Sequence, residues 1–157
     1  MRVVIGLGAN LGERLTTLRG AVARVAEHGD VRRRSHIYET APIGPEQPDF
    51  LNAAISVECT MPPLDLLDAL RSIEASFGRD RAKELRWGPR PLDLDVLWIE
   101  GRVVNEERLV VPHPRLHERA FAVQPLLDVE PEALDPRTGG VYVVPSSQDL
   151  RRLDVTL

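Results

Sequence analysis

The run PLDLDVLWIEG, residues 91–101, alternates apolar and acidic residues with a period of two before it turns wholly apolar. A helix would scatter Leu92, Leu94, Val96 and Trp98 around its circumference, whereas an extended chain puts all four on one face. The segment therefore reads as a strand with one side in a core. Asp93 and Asp95 project together from the other side. With a rise of ~3.3 Å per residue, their Cα atoms lie about 6.5 Å apart. Two carboxylates that close on a half-buried surface repel and raise one another's pKa unless cations stand between them.

The rest of the chain supplies the partners such a strand needs. RVVIGLGAN opens with Val3, Ile5 and Leu7 on one face of a first strand. Asn10 with Glu13 resembles a helix start, and Leu15, Leu18, Val22, Val25 and Ala26 recur at helical spacing until Gly29. VRRRSHIYET reads as a second strand with a basic, solvated edge, and a loop stiffened by Pro42, Pro45 and Pro48 follows. FLNAAISVEC is a third strand with Leu51, Ala53, Ile55 and Val57 on one face and Phe50, Asn52 and Ala54 on the other. Pro62 and Pro63 suit the first turn of a second helix with a stripe of Leu66, Leu70, Ile73 and Phe77, stopped by Gly78. The acidic strand is the fourth. Strand–helix–strand–strand–helix–strand is the split order of ferredoxin-like α+β folds, a βαββαβ core with an antiparallel sheet and helices on one face. Residues 103–114 suit a hairpin, and HERAFAVQPLLDV suits a short helix among C-terminal additions.

At 157 residues the chain is expected to form one domain spanning 1–157. Its single cysteine, Cys59, has no partner for an internal disulfide, and no run of about 18 apolar residues is present. The expectation is a monomer in the cytoplasm, binding neither membrane nor nucleic acid. Charge supports the last point: 8 basic against 10 acidic residues up to Gly78, then 12 against 14. The exception is Arg79 to Arg90, with five basic and two acidic residues. This positive island directly precedes the paired aspartates. Two hard divalent ions about 3.5–4 Å apart fit between such carboxylates. Carboxylate and water ligands favour magnesium, which completes its shell with phosphate oxygens. Arginines then grip the same polyphosphate. GLGANLG, residues 6–12, misses the dinucleotide fingerprint by one residue and lacks the β-α-β context. His113 and His117 have helical spacing but no third ligand for zinc.

RWGPRPLDLDVLW, residues 86–98, resembles the signature R-W-G-P-R-x-L-D-[LI]-D of the 6-hydroxymethyl-7,8-dihydropterin pyrophosphokinases. GLGANLG, YETAPIGPEQPDFLNAA, GRDRAKELRWGPR and VPHPRLHERAFAVQPL are similar to that family's other landmarks and occur in its order, covering about residues 2–130. Residues 131–157 form an extension of unassigned role. The resemblance implies a ferredoxin-like fold and transfer of the β,γ-pyrophosphoryl group of ATP to the pterin hydroxymethyl group, releasing AMP, in folate synthesis. By the same resemblance Asp93 and Asp95 bind two Mg2+ ions. Arg79 and Arg90 contact phosphate, and Trp87 rides on a loop that closes over the site. Glu74, Arg81, Arg108, His113 and Arg119 belong to the ATP side. Phe50 and Phe121 sandwich the pterin, Asn52 reads its rim, and Thr40, Pro42 and Ile43 offer backbone groups. Two departures from the family pattern stand out. Arg71 replaces a nucleotide-touching glutamine, and the loop before Trp87 is one residue longer, leaving open whether Arg81 or Lys83 meets phosphate.

Overall fold

A computed structural model describes residues 1–42, 44–146 and 148–157. The chain begins with strand β1 (Arg2–Ala9) and helix α1 (Arg14–Val25), followed by β2 (Asp30–Arg34), β3 (Tyr38–Thr40) and β4 (Phe50–Glu58). Helix α2 (Pro63–Ser76), a short 3-10 turn (Arg81–Lys83) and β5 (Asp93–Ile99) complete the core. A hairpin of β6 (Val104–Glu106) and β7 (Leu109–Val111), helix α3 (Ala120–Val129) and a two-residue strand β8 (Arg151–Arg152) come after it. The main sheet runs β5-β1-β4-β3-β8, with β2 also on β4, and its pairings are antiparallel. Counting β2 and β3 as one interrupted strand, this is the βαββαβ order expected from the sequence.

The two faces of the sheet have different cores. On one, Leu18, Val22 and Val25 of α1 and Leu66, Leu70 and Ile73 of α2 pack on Val3, Ile5, Ile55, Val57, Leu94 and Val96. Each fully buried aliphatic side chain contributes about 1.5–3 kcal/mol, so this face dominates the stability. The other face is covered in part by α3, whose Ala122, Val123, Leu126 and Val129 pack on Val4, Ala54, Leu97 and Trp98. The additions beyond the core thus supply a third layer, and the helices do not all share one face. Asp93 and Asp95 share a cavity with Arg119, Phe121 and Ala122 at the start of α3.

Four local expectations give way to better-defined geometry. Residues 31–40 form two strands instead of one, because Ser35 interrupts the ladder: its hydroxyl accepts from the Ala54 N–H at 2.7 Å, and its own N–H donates to the Ala54 carbonyl. In β5 the register against β1 shifts, so that Val4 faces Trp98 and Ile5 faces Val96, with Leu97 as the extra residue of a bulge. Trp98 therefore turns away from Leu94 and Val96 into the α3 layer, where its indole N–H donates to the Leu134 carbonyl at 2.8 Å. Asn10 does not cap α1; Glu13 precedes the helix without a side-chain cap, and Asn10 is buried in the loop contacts described below. Gly29 lies beyond the helix end at Val25 and serves close packing: a Cβ there would lie 2.7 Å from Val57 Cγ1 and 2.9 Å from the Glu58 carbonyl oxygen. Gly78, in contrast, terminates α2 in the left-handed region at φ +91°.

Gly29→Ala is expected to cost about 1–3 kcal/mol in urea denaturation, because neither the β4 backbone nor a core valine can yield to the new methyl.

Candidate active site

Asp93 and Asp95 pair across the sheet with Gly8 and Gly6 of β1. Directly paired residues send their side chains to the same face, so the two glycines leave bare backbone beside the two acids. A Cβ on Gly8 would lie 3.1 Å from Asn52 Oδ1 and 3.9 Å from Asp93 Cβ. The floor so formed opens into two adjoining cavities. The larger, about 140 Å³, is bounded by Gly8, Thr40, Pro42, Phe50, Asn52, Trp87, Arg90, Asp93, Arg119 and Phe121. The smaller, about 30 Å³, is bounded by Gly6, Asp93, Asp95, His113, Arg119 and Phe121. Asp93, Arg119, Asn52, Gly8 and Phe121 border both.

The two carboxylates have unlike surroundings. Asp93 accepts from Arg79 Nη1 at 2.8 Å and from Arg90 Nη1 at 3.1 Å. Burial would raise its pKa, but the two guanidinium groups outweigh burial and lower it. Among the described residues no hydrogen bond or ion pair reaches the Asp95 carboxylate. Burial first, and then the charge of Asp93, push its pKa up to about 7. Nearby, Arg90 Nε is buried and has no hydrogen-bond acceptor among the described residues, its nearest carboxylate being Glu84 at 3.9 Å. A carboxylate lacking a cation and a guanidinium N–H lacking a hydrogen bond thus border two adjoining cavities. His113 is a neutral imidazole, its pKa lowered to about 4 by burial and then by Arg119, and its Nδ1 accepts from the Arg115 N–H at 3.2 Å.

Glu74, on the last turn of α2, organises the arginines. Its carboxylate accepts from Arg71 Nη1 at 2.9 Å, Arg79 Nη1 at 2.7 Å, Arg81 Nη2 at 3.0 Å and the Leu94 N–H at 2.8 Å. Arg79 is itself buried, and grips Glu84 of the following loop with Nε at 2.5 Å and Nη2 at 3.0 Å. Although burial disfavours its charge, Glu84, Asp93 and Glu74 together raise the Arg79 pKa further. Glu74, expected on the ATP side, has its oxygens occupied by three arginines and the β5 backbone. Arg79 likewise has its side-chain nitrogens committed to carboxylates and to the Leu92 carbonyl.

Three loops meet above the floor. The Asn10 carbonyl oxygen Oδ1 accepts from the Arg90 N–H at 2.8 Å, and its Nδ2 donates to Gln47 Oε1 at 2.8 Å and the Pro48 carbonyl at 3.1 Å. Gln47 Nε2 donates to the Trp87 carbonyl at 2.7 Å, tying the proline-rich loop to the arginine loop. Trp87 has φ +63°, a left-handed conformation that costs a bulky residue of order 1 kcal/mol or more. Its ring is flanked by the guanidinium groups of Arg86 at 5.4 Å and Arg115 at 5.0 Å from the centroid.

Of the residues expected from the sequence, Thr40, Pro42, Phe50, Asn52, Trp87, Arg90, Asp93, Asp95, His113, Arg119 and Phe121 border one or both cavities. Asn52 Nδ2 donates to Thr40 Oγ1 at 2.8 Å, and the Arg119 guanidinium lies 5.6 Å from the Phe121 ring centroid. Ile43 falls outside the described residues. Arg81 is held on Glu74, whereas Lys83 is exposed, with Asp80 at 3.9 Å. Arg108 lies in the β6–β7 turn, ion-paired to Asp68 of α2, and borders neither cavity. Gly8, Asn10, Gln47, Glu84 and Arg115 were not singled out from sequence as site residues. Only Gly8 left a usable signal, as a glycine in strand alternation.

Comparison with known proteins agrees with this geometry. The profile of the 7,8-dihydro-6-hydroxymethylpterin-pyrophosphokinase (HPPK) family matches residues 4–131. Proteins named 2-amino-4-hydroxy-6-hydroxymethyldihydropteridine pyrophosphokinase are similar throughout most of their length. That of Bacillus subtilis is 44% identical over 141 residues, covering 85% of this chain and 83% of the relative. That of Methylorubrum extorquens is 45% identical over 134 residues, covering 83% and 84%. That of Synechocystis sp. is 40% identical over 142 residues, covering 89% and 72%. Among solved structures, Plasmodium falciparum HPPK-DHPS with pterin and p-hydroxybenzoate superposes with a TM-score of 0.69 over 90% of this chain at 14% identity. That likeness shows the fold alone, and this chain spans 40% of that one.

Removing Glu74 leaves the buried Arg79 guanidinium and the Leu94 N–H without their shared anion, a loss typically of 3–5 kcal/mol. Glu74→Ala is expected to lower unfolding free energy by about that amount in urea denaturation, with Glu74→Gln recovering a part through the Leu94 N–H.

Proposed function

Because the chain belongs to the HPPK family and transfers the pyrophosphoryl group of ATP to the hydroxymethyl group of 6-hydroxymethyl-7,8-dihydropterin in folate synthesis, we propose that the floor between Asp95 and Arg90 is where the transfer takes place. The observation that carries this placement is the pair of unmet groups there, the Asp95 carboxylate with no ion pair and Arg90 Nε with no hydrogen-bond acceptor among the described residues. Metal-bound triphosphate supplies both at once. The donor set fits a hard divalent ion: Asp93 and Asp95 are oxygen ligands, and no cluster of three or more His, Cys, Asp or Glu side chains is present among the described residues. Two Mg2+ ions held by Asp93 and Asp95 are the reading adopted. When bound, they neutralise phosphate charge and orient the oxygens of the transferred group.

The chain's own residues do the rest. Arg90 and Arg119 present positive charge to the phosphates across the two cavities, and arginine holds such groups bidentately. Arg79 contributes by exchanging its Glu84 partner for a phosphate oxygen. Arg81, His113 and Trp87 complete the ATP side, whereas Arg108, ion-paired to Asp68, lies outside both cavities. The pterin lies between Phe50 and Phe121, with Asn52 at its rim and Thr40 and Pro42 beside it; flat bicycles are recognised by stacking and a few placed polar groups. The hydroxyl oxygen then bonds to the β-phosphorus as the α,β-bridging bond breaks, and AMP leaves. Trp87 and its loop exclude water, which would otherwise compete as acceptor.

We further propose that residues 1–157 act as one domain and one chain, in the cytoplasm. In support, β8 pairs with β3 and Trp98 bonds to Leu134, joining the extension to the core. No helix among the described residues is long and apolar enough to cross a membrane.

Incubation with ATP, magnesium and the reduced hydroxymethylpterin should release AMP; release of ADP in the presence of pterin overturns the reading. Asp95→Ala should cut turnover by a hundredfold or more while circular dichroism stays native, and near-normal rates would dismiss the acidic floor as the metal site. Arg90→Ala should lower kcat much more than it weakens pterin affinity, measured by turnover and by calorimetric titration.

A further inference from the structure

We infer that Gln148, in the extension beyond the family-matched region, is a pterin-contacting residue that helps set substrate affinity. It borders the larger cavity together with Thr40, Phe50, Asn52 and Phe121. Its Oε1 is buried and has no hydrogen-bond partner among the described residues. A buried amide oxygen left without a donor is unfavourable, and native structures rarely keep one without a reason. The cavity offers the reason, since its occupant brings N–H groups along the rim of a reduced pterin.

The approach of Gln148 is built into the fold. Arg151 and Arg152 of β8 pair antiparallel with Glu39 and Tyr38 of β3, and the Leu153 N–H donates to the Ile37 carbonyl at 2.8 Å. Arg151 also ion-pairs with Glu39, which in turn holds Arg14 of α1 at 2.8 Å. Carried back three residues in that register, the chain brings Gln148 beside the continuation of β3 through Thr40 and Pro42. The residues expected at the pterin from the front of the chain and a residue near its end thus converge on one cavity. Asn52 already spends its Nδ2 on Thr40. Gln148 adds a second amide whose acceptor is uncommitted. The inference rests on the pocket assignment made above and names a residue which that assignment did not contain.

The test uses the full chain with Gln148→Leu, which keeps size and removes the acceptor, and Phe50→Ala as a control for the pocket. Pterin affinity is measured by titration calorimetry with a non-hydrolysable ATP analogue present, and the affinity of that analogue is measured alone. Gln148→Leu should weaken pterin binding about fivefold to tenfold, the effect of one neutral hydrogen bond. Analogue affinity should stay within twofold and kcat within threefold, so the change falls on KM for pterin. The melting temperature without pterin should not drop, because an orphaned acceptor has been removed, whereas the rise produced by pterin should shrink. A purely structural role would instead lower the melting temperature of the free protein and leave pterin affinity alone, and that result overturns the inference. If Phe50→Ala loses pterin and Gln148→Leu does not, Gln148 is excluded and the pocket stands. If neither variant loses pterin, the pocket assignment itself falls.

Discussion

A single buried carboxylate holds the working end of this protein together. Glu74 receives three guanidinium groups and the Leu94 N–H of the acidic strand, so it links α2, the arginine loop and β5 at one point. Such a charge is tolerable in a core only when its hydrogen bonds are filled, and here they are. The arginine loop has few apolar anchors of its own, with Leu85 70% exposed. Its position therefore depends on charge: Glu74 fixes Arg79, Arg79 fixes Glu84, and the loop follows.

The same electrostatics explains why Asp93 and Asp95 differ although they stand two residues apart on one face. Asp93 lies within reach of Arg79 and Arg90 and is held ionised, whereas Asp95 meets only the distant charge of Arg71 and Arg119 against burial and two nearby anions. Proteins ordinarily spread counter-charge so that no buried acid is left over. Here the surplus lies on Asp95, while Arg90 Nε lacks a hydrogen-bond acceptor among the described residues. Substrate brings the missing charges with it, and the unfilled site selects for a ligand that carries cation and anion together.

Much of this was legible in the sequence, for identifiable reasons. Period-two patterning in residues 92–96 and 50–57, helical stripes in α1 and α2, and the stop at Gly78 act locally, so one stretch of chain is enough to see them. The acidic pair and the arginine island were visible for the same reason. What escaped depends on contacts far apart in the chain. The break at Ser35 needs Ala54; the role of Asn10 needs Gln47 and Arg90; the occupation of Glu74 needs arginines from a loop whose path no periodicity describes. Trp98 was misassigned because alternation carries on past Val96 in the letters but not in the chain, where Leu97 is the extra residue. The additions after residue 130 lacked any repeating pattern, yet they close one end of the sheet through Trp98 and Leu134 and reach the cavity at the other.

The bulge at Leu97 divides β5 into two halves that face independent neighbourhoods. Upstream, the parity of the strand is set by the carboxylates and the paired glycines; downstream, it is reset to suit α3. Changes of length or sequence around the β6–β7 hairpin can therefore accumulate without rotating the acids off the floor. The strand works as a spliced joint, in which the reactive end and the supporting end can drift apart over evolutionary time without dragging one another out of register.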